Sequence, residues 1–182
     1  MKAKTMRSYL PRELRRRYDI AWKILPDDVR DELRAFIINI KAVTSMEGAS
    51  IKRADGEVIV SGHKALGWYI PDESAGRGYI RLCTDLEETD EPQAVCHILH
   101  EFAHAHEHQY DNWRAESRWP DRSELAACAQ VAAWAARDYS NSHVGGYENA
   151  SSVALLAILM AKEEWKSWWK RERGKDSTDK SK

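Results

Sequence analysis

The apolar residues of this chain change their spacing twice, and that pattern limits the fold more than any other feature. Leu14, Tyr18, Ala21, Trp22 and Leu25 fall on one side of a short helix over residues 12–25. Pro26 sits at the first turn of a second helix. Asp27, Asp28, Asp31 and Glu32 follow it, where the helix dipole favours negative charge. Val29, Leu33, Phe36, Ile37 and Ile40 repeat at three and four, so this helix is expected to run from Pro26 to about Val43. The middle of the chain then switches to short β-like runs. Residues 51–60 read as two strands around an Asp55-Gly56 turn. Leu66 to Ile70 and Tyr79 to Cys83 are two more, separated by the Gly- and Pro-containing loop 71–78. After Glu91-Pro92 the helical period returns, from Pro92 to about Gln109, from Arg122 or Ser123 to about Asp138, and from Tyr147 to about Arg171. The expectation is an α+β fold, with a helical segment over about residues 1–45, a small antiparallel-rich sheet and a helical C-terminal half.

The 182 residues allow one compact domain, expected over 1–172, with the charged and small-polar segment 173–182 as a disordered tail. Hydrophobic residues at 43% suffice for a core, and 28 basic against 29 acidic side chains argue against a whole-molecule polyanion binder. The longest apolar run, Val153 to Ala161, is about half of what a bilayer span needs, so no membrane partner is expected. The first residues are basic but lack an apolar stretch after the charges, unlike a secretory signal. Cys83, Cys96 and Cys128 are too scattered for a disulfide framework. A reducing, cytoplasmic setting is the expectation.

Chemistry concentrates in the helix after Pro92. Five of the seven histidines lie between positions 97 and 108, and among them stands His100-Glu101-Phe102-Ala103-His104, an HExxH pattern without Pro or Gly inside it. On a helix, positions i and i+4 stand almost above each other, so His100 and His104 can aim two imidazole nitrogens at one ion. Glu101 lies about 100° from His100 and about 60° from His104 around the axis. From there its carboxylate can reach a metal-activated water without being a ligand. The bland alternative is a solvated, His-rich helix face.

A catalytic zinc site needs a third protein ligand and an open fourth position. Tyr110 and Glu107 stand where a metzincin would have its third His and its Gly, which excludes that arrangement. Glu124 lies at the opening of the next expected helix, while Asp121, Glu116, Asp111, His108 and Cys128 are rivals. HExxH with a Glu at this distance, on a following helix, resembles the gluzincin group of zinc metallopeptidases over roughly residues 58–138. The small size and the Glu124-Leu-Ala-Ala stretch look more like the minimal intracellular peptidases of the ImmA/IrrE kind.

The resemblance implies a zincin-like fold with Zn²⁺ on His100, His104 and Glu124. It also implies Glu101 as general base and a peptide or protein as substrate. Thermolysin-like chains place an Asp one turn after the glutamate ligand to orient a zinc histidine. Here that position is Cys128, so such a partner is expected from elsewhere.

Peptide hydrolysis also needs a group to stabilise the oxyanion, for which His143 and Tyr147 in a Gly-containing loop are candidates. His97 and His108 fall on the face of the ligand pair, and His106 points away, toward solvent. By analogy with zincins, the last strand before the helix, Tyr79 to Cys83, would bind substrate backbone at a sheet edge. Trp165, Trp168 and Trp169, beside Leu156, Leu159 and Met160, are read as core, and the alanines at 126, 127, 129, 132, 133, 135 and 136 as a close-packing surface. Arg12, Arg15, Arg16 and Arg17 are read as a solvated face. They leave a nucleic-acid partner open without making it the expectation. The rival to an enzyme is a non-catalytic, zinc-stabilised or degenerate zincin domain serving as a binding or assembly module in a phage or mobile-element setting; the sequence leaves the oligomeric state open.

Overall fold

A computed structural model describes residues 10–44, 50–52, 58–60, 66–72, 77–109, 120–141 and 146–179. Helices α1 (Arg12–Ile24) and α2 (Asp27–Phe36) each start directly after a proline, Pro11 and Pro26, with acidic residues in the first turn. The first of these helices buries Leu14, Tyr18 and Ala21, the side its spacing predicts.

The second helix stops short of the expected Val43. Its backbone turns extended at Ile37, and residues Ile37–Val43 form strand β1. The β-branched side chains of Ile37, Ile38, Ile40 and Val43 are stiff at χ1 and fit a pleated surface. An irregularity in strand register between Ile37 and Asn39 explains the misleading spacing. It lets Ile37 and Ile40, three apart, both be buried from a strand.

Strands β2 (Ser50–Lys52) and β3 (Val58–Val60) pair antiparallel with Ile51 opposite Ile59, a separate hairpin whose turn residues lie outside the described ones. Strands β4 (Gly67–Asp72) and β5 (Arg77–Cys83) join β1 in a three-stranded sheet of order β1-β5-β4. The sheet is mixed where an antiparallel one was expected, because β1 runs parallel to β5 while β4 runs antiparallel to it. This order also corrects the reading of Tyr79 to Cys83 as a substrate-binding edge. The strand is central, its backbone groups are paired on both sides, and β4 is the edge that packs against the next helix. Gly78, Ile80 and Leu82 are the buried face of β5. Between them Arg81 donates to Asn39 Oδ1 at 2.9 Å from the half-buried face.

A short 3₁₀ turn (Thr84–Glu87) leads into helices α3 (Glu91–Gln109), α4 (Pro120–Ser140) and α5 (Ala150–Asp179). The last of them starts after Tyr147 and continues to Asp179, into the segment 173–182 expected as tail; residues 180–182 lie outside the described ones. The fold is therefore α+β and mostly helical. Among the described residues no helix is long and apolar enough to cross a membrane.

One buried cluster joins all five helices to β1 and β5. Phe102, fully buried on the back of α3, meets Tyr18 and Trp22 edge-on at ring-centroid distances of 5.7 and 5.5 Å. Arg17 is buried as well, its guanidinium donating to the carbonyls of Leu86 and Thr89 just before α3. Two readings of packing need correction. Ala126, Ala129, Ala133 and Ala136 are exposed, and α4 seats Ala127, Val131, Trp134 and Ala135 instead. Leu159 and Trp165 are about half exposed, with Leu155 and Ile158, because α5 buries the face of Val153 and Ala157. The Trp168 and Trp169 side chains lie outside the described ones.

Candidate metal centre

The third helix carries the HExxH residues because its two faces have different tasks. Phe102, Ala103 and Ala105 are buried, which fixes the helix about its axis. His100 and Glu101 are then held at only 7% exposure, on the side that meets α4 and β4. Glu124, in the first turns of α4, reaches across: its Oε2 lies 2.8 Å from His100 Nε2 and its Oε1 3.3 Å from His104 Nε2. The two Nε2 atoms are 3.0 Å apart. Among the described residues, His100, His104 and Glu124 form the one group of three whose ligand atoms converge closely enough to hold a metal ion.

The donor set fits a divalent cation. Ligands about 2.0–2.1 Å from a tetrahedral ion are separated from one another by about 3.3 Å, and these three atoms already stand near that spacing. Two imidazoles and one carboxylate are a nitrogen- and oxygen-rich set suited to zinc and to other first-row divalent ions. Without a metal the same atoms hold each other through protons. Burial alone would lower His104, but its hydrogen bond to Glu124 and the charges of Glu124, Glu101 and Glu107 outweigh that and raise it to about 9. Glu124 moves the opposite way. Burial resists its ionisation, yet the bonds to His100 and His104 pull its carboxyl far below the usual carboxylate range.

Glu101 stands beside this group without joining it. Burial pushes its pKa up against the opposing pull of His104 and His100, and the Tyr69 backbone N–H donates to its carboxylate. The space it occupies exists because position 67 is glycine. A Cβ there would lie 2.8 Å from Glu101 Cγ and 3.0 Å from Oε1. Gly67 is a functional residue that the sequence reading missed; its only signal was a glycine at the start of an edge strand, where a backbone often approaches something closely.

Cys128 also takes a defined place. Its Sγ lies 3.8 Å from His100 Nδ1, the ring nitrogen that faces away from Glu124. Cys128 thus stands behind His100 and outside the converging group, in the place for which a partner was expected from elsewhere in the chain. Burial, with Glu124 nearby, pushes its pKa up to about 12.

Of the other sequence candidates, Tyr147 is not brought to the site. Tyr147 donates from its hydroxyl to Glu91 Oε1 at 2.7 Å, and its N–H is bonded to Asp138 Oδ2 at 2.8 Å. Glu91 opens α3, nine residues before His100, which is about 13–14 Å along the axis. Tyr147 therefore braces the far end of the helix. His143, Asp111 and Glu116 lie outside the described residues, as do the side chains of His108 and Asp121. His97 is largely buried, and that burial lowers its pKa to about 4. His106, expected in solvent, is 17% exposed; its Nδ1 is 3.5 Å from Glu32 Oε2 and its ring meets Trp134.

No protein-family model matches this chain, and no curated protein and no solved structure was found to match it.

Proposed function

We propose that the chain is a metal-dependent hydrolase, with zinc as the metal and a peptide or protein as the substrate. One observation carries this reading: three ligand atoms converge beside a buried carboxylate that is not spent on them. His100, His104 and Glu124 would hold the ion. A divalent cation in that set supplies Lewis acidity, polarising a carbonyl and acidifying water. Glu101, its pKa raised by burial, is the base that takes the proton from the attacking water and later delivers it to the leaving amine. The Tyr69 N–H and the packing at Gly67 keep its carboxylate in one place. Substrate backbone would run along the outer side of β4, the edge strand that packs against α3. This reading accords with the zincin resemblance of the HExxH segment.

The test is the Glu101→Gln variant beside the unaltered chain. Both are expected to bind one equivalent of zinc. Hydrolysis of a general protein substrate should fall by about 10²–10⁴-fold in the variant. Metal uptake without cleavage of any of a broad peptide library would overturn the enzyme reading. It would favour the module instead, in which the ion ties α3 to α4.

A further inference from the structure

We propose that Cys128 is a positioning residue of this metal centre, setting the tautomer and the ring angle of His100. The inference rests on the reading of His100, His104 and Glu124 as a metal site. An imidazole that offers Nε2 to an ion carries its proton on Nδ1, and whatever that proton meets decides how the ring is turned. In this chain it meets sulfur: Cys128 Sγ is 3.8 Å from Nδ1, on the opposite side of the ring from Glu124.

The thiol is in place for structural reasons. Cys128 follows Glu124 by four residues on α4, so the two side chains rise from the same face, one turn apart. The same face thus delivers both the third ligand and the support for the first. Cys128 is 1% exposed, which leaves no solvent route to replace it at Nδ1. One turn before His100 on α3, Cys96 is equally buried, its Sγ 3.8 Å from Met160 Sδ of α5.

A thiol in this role differs in kind from a carboxylate. Sulfur is a weak, polarizable acceptor, so it orients the ring while adding little negative charge to it. The ligand is left less basic than a carboxylate-backed histidine. The ion is held less tightly and stays more electron-poor, which favours Lewis acidity over affinity.

The experiment is metal binding by the full chain, with Zn²⁺ in competition against a chromogenic chelator and Co²⁺ as a spectroscopic probe. Cys128→Ala is expected to weaken Zn²⁺ binding about 10- to 100-fold and to shift the visible Co²⁺ bands. Cys128→Asp should restore affinity to the unaltered level or beyond. A purely packing role would lower the melting temperature of the metal-free variant and leave both metal readouts unmoved. That result overturns the proposal.

If either variant fails to fold, the unaltered zinc-loaded chain still decides. ¹⁵N–¹H correlation spectra should show the His100 Nδ1 proton protected from exchange with water, held against the buried sulfur, and rapid exchange overturns the proposal. A chain that binds neither ion removes the metal site itself, a failure separate from that of Cys128.

Discussion

At the scale of single residues, the site depends on what is absent as much as on what is present. Gly67 leaves the volume that Glu101 fills, and the carboxylate cannot retreat because its own helix face is packed. Gly67→Ala is expected to cost about 1–3 kcal/mol of stability through overpacking, measured by chemical denaturation. Hydrolysis should fall further than zinc affinity, since the displaced group is the proposed base and the candidate ligands stay in place. An alanine variant with undiminished turnover would mean that Glu101 is free to reposition. The histidine pair and Glu101 were legible in the sequence because i and i+4 on a helix is a local relation. Gly67 and Cys128 were not, because each acquires its role from a neighbour far away in the chain.

At the scale of elements, the middle and the start of α3 are secured by different kinds of contact. Its middle rests on the aromatic contact of Phe102 with Tyr18 and Trp22. Phe102→Ala is expected to cost about 3–5 kcal/mol, seen as a lower denaturant midpoint. Its start is held by Glu91, which accepts from Tyr147 and pairs with Arg16.

The Tyr147 hydrogen bond is the largest effect on Glu91. With Arg16 it keeps the carboxyl below its ordinary 4.5, against the opposing pull of burial. A depressed folded pKa stabilises above the unfolded value, and the benefit disappears as pH falls through the folded one. Tyr147→Phe should therefore be less stable by about 1 kcal/mol at pH 7, with the gap narrowing as pH drops below 4.5. Thermal melts across that range check it, and a gap constant with pH would contradict the assignment. Helices α1, α3 and α4 were legible because their apolar stripes have one period. The end of α2 was not, because Ile37 and Ile40 satisfy a helical spacing and, through an irregular strand, a β one too. Parallel pairing of β1 with β5 is a long-range choice that neither strand's residues record.

At the scale of the whole molecule, the candidate ligands come from α3 and α4, two elements that contribute to one core. An ion bound only by the folded form stabilises it by about 2.7 kcal/mol at a free concentration 100 times Kd. For a chain of 182 residues this is a rise in Tm of roughly 5–11 °C. Scanning calorimetry with and without zinc should show it, and His100→Ala should abolish it. An equal rise in that variant would place the ion elsewhere.

The buried guanidinium of Arg17 bears on how the basic start of the chain is judged. That cation grips the carbonyls of Leu86 and Thr89, and Arg16 is engaged by Glu13 and Glu91. Part of the apparent positive face thus fastens the chain to itself. Clipping off the first helix to look for lost affinity toward a polyanion would loosen α3 as well, so charge reversal at Arg12 is the cleaner probe.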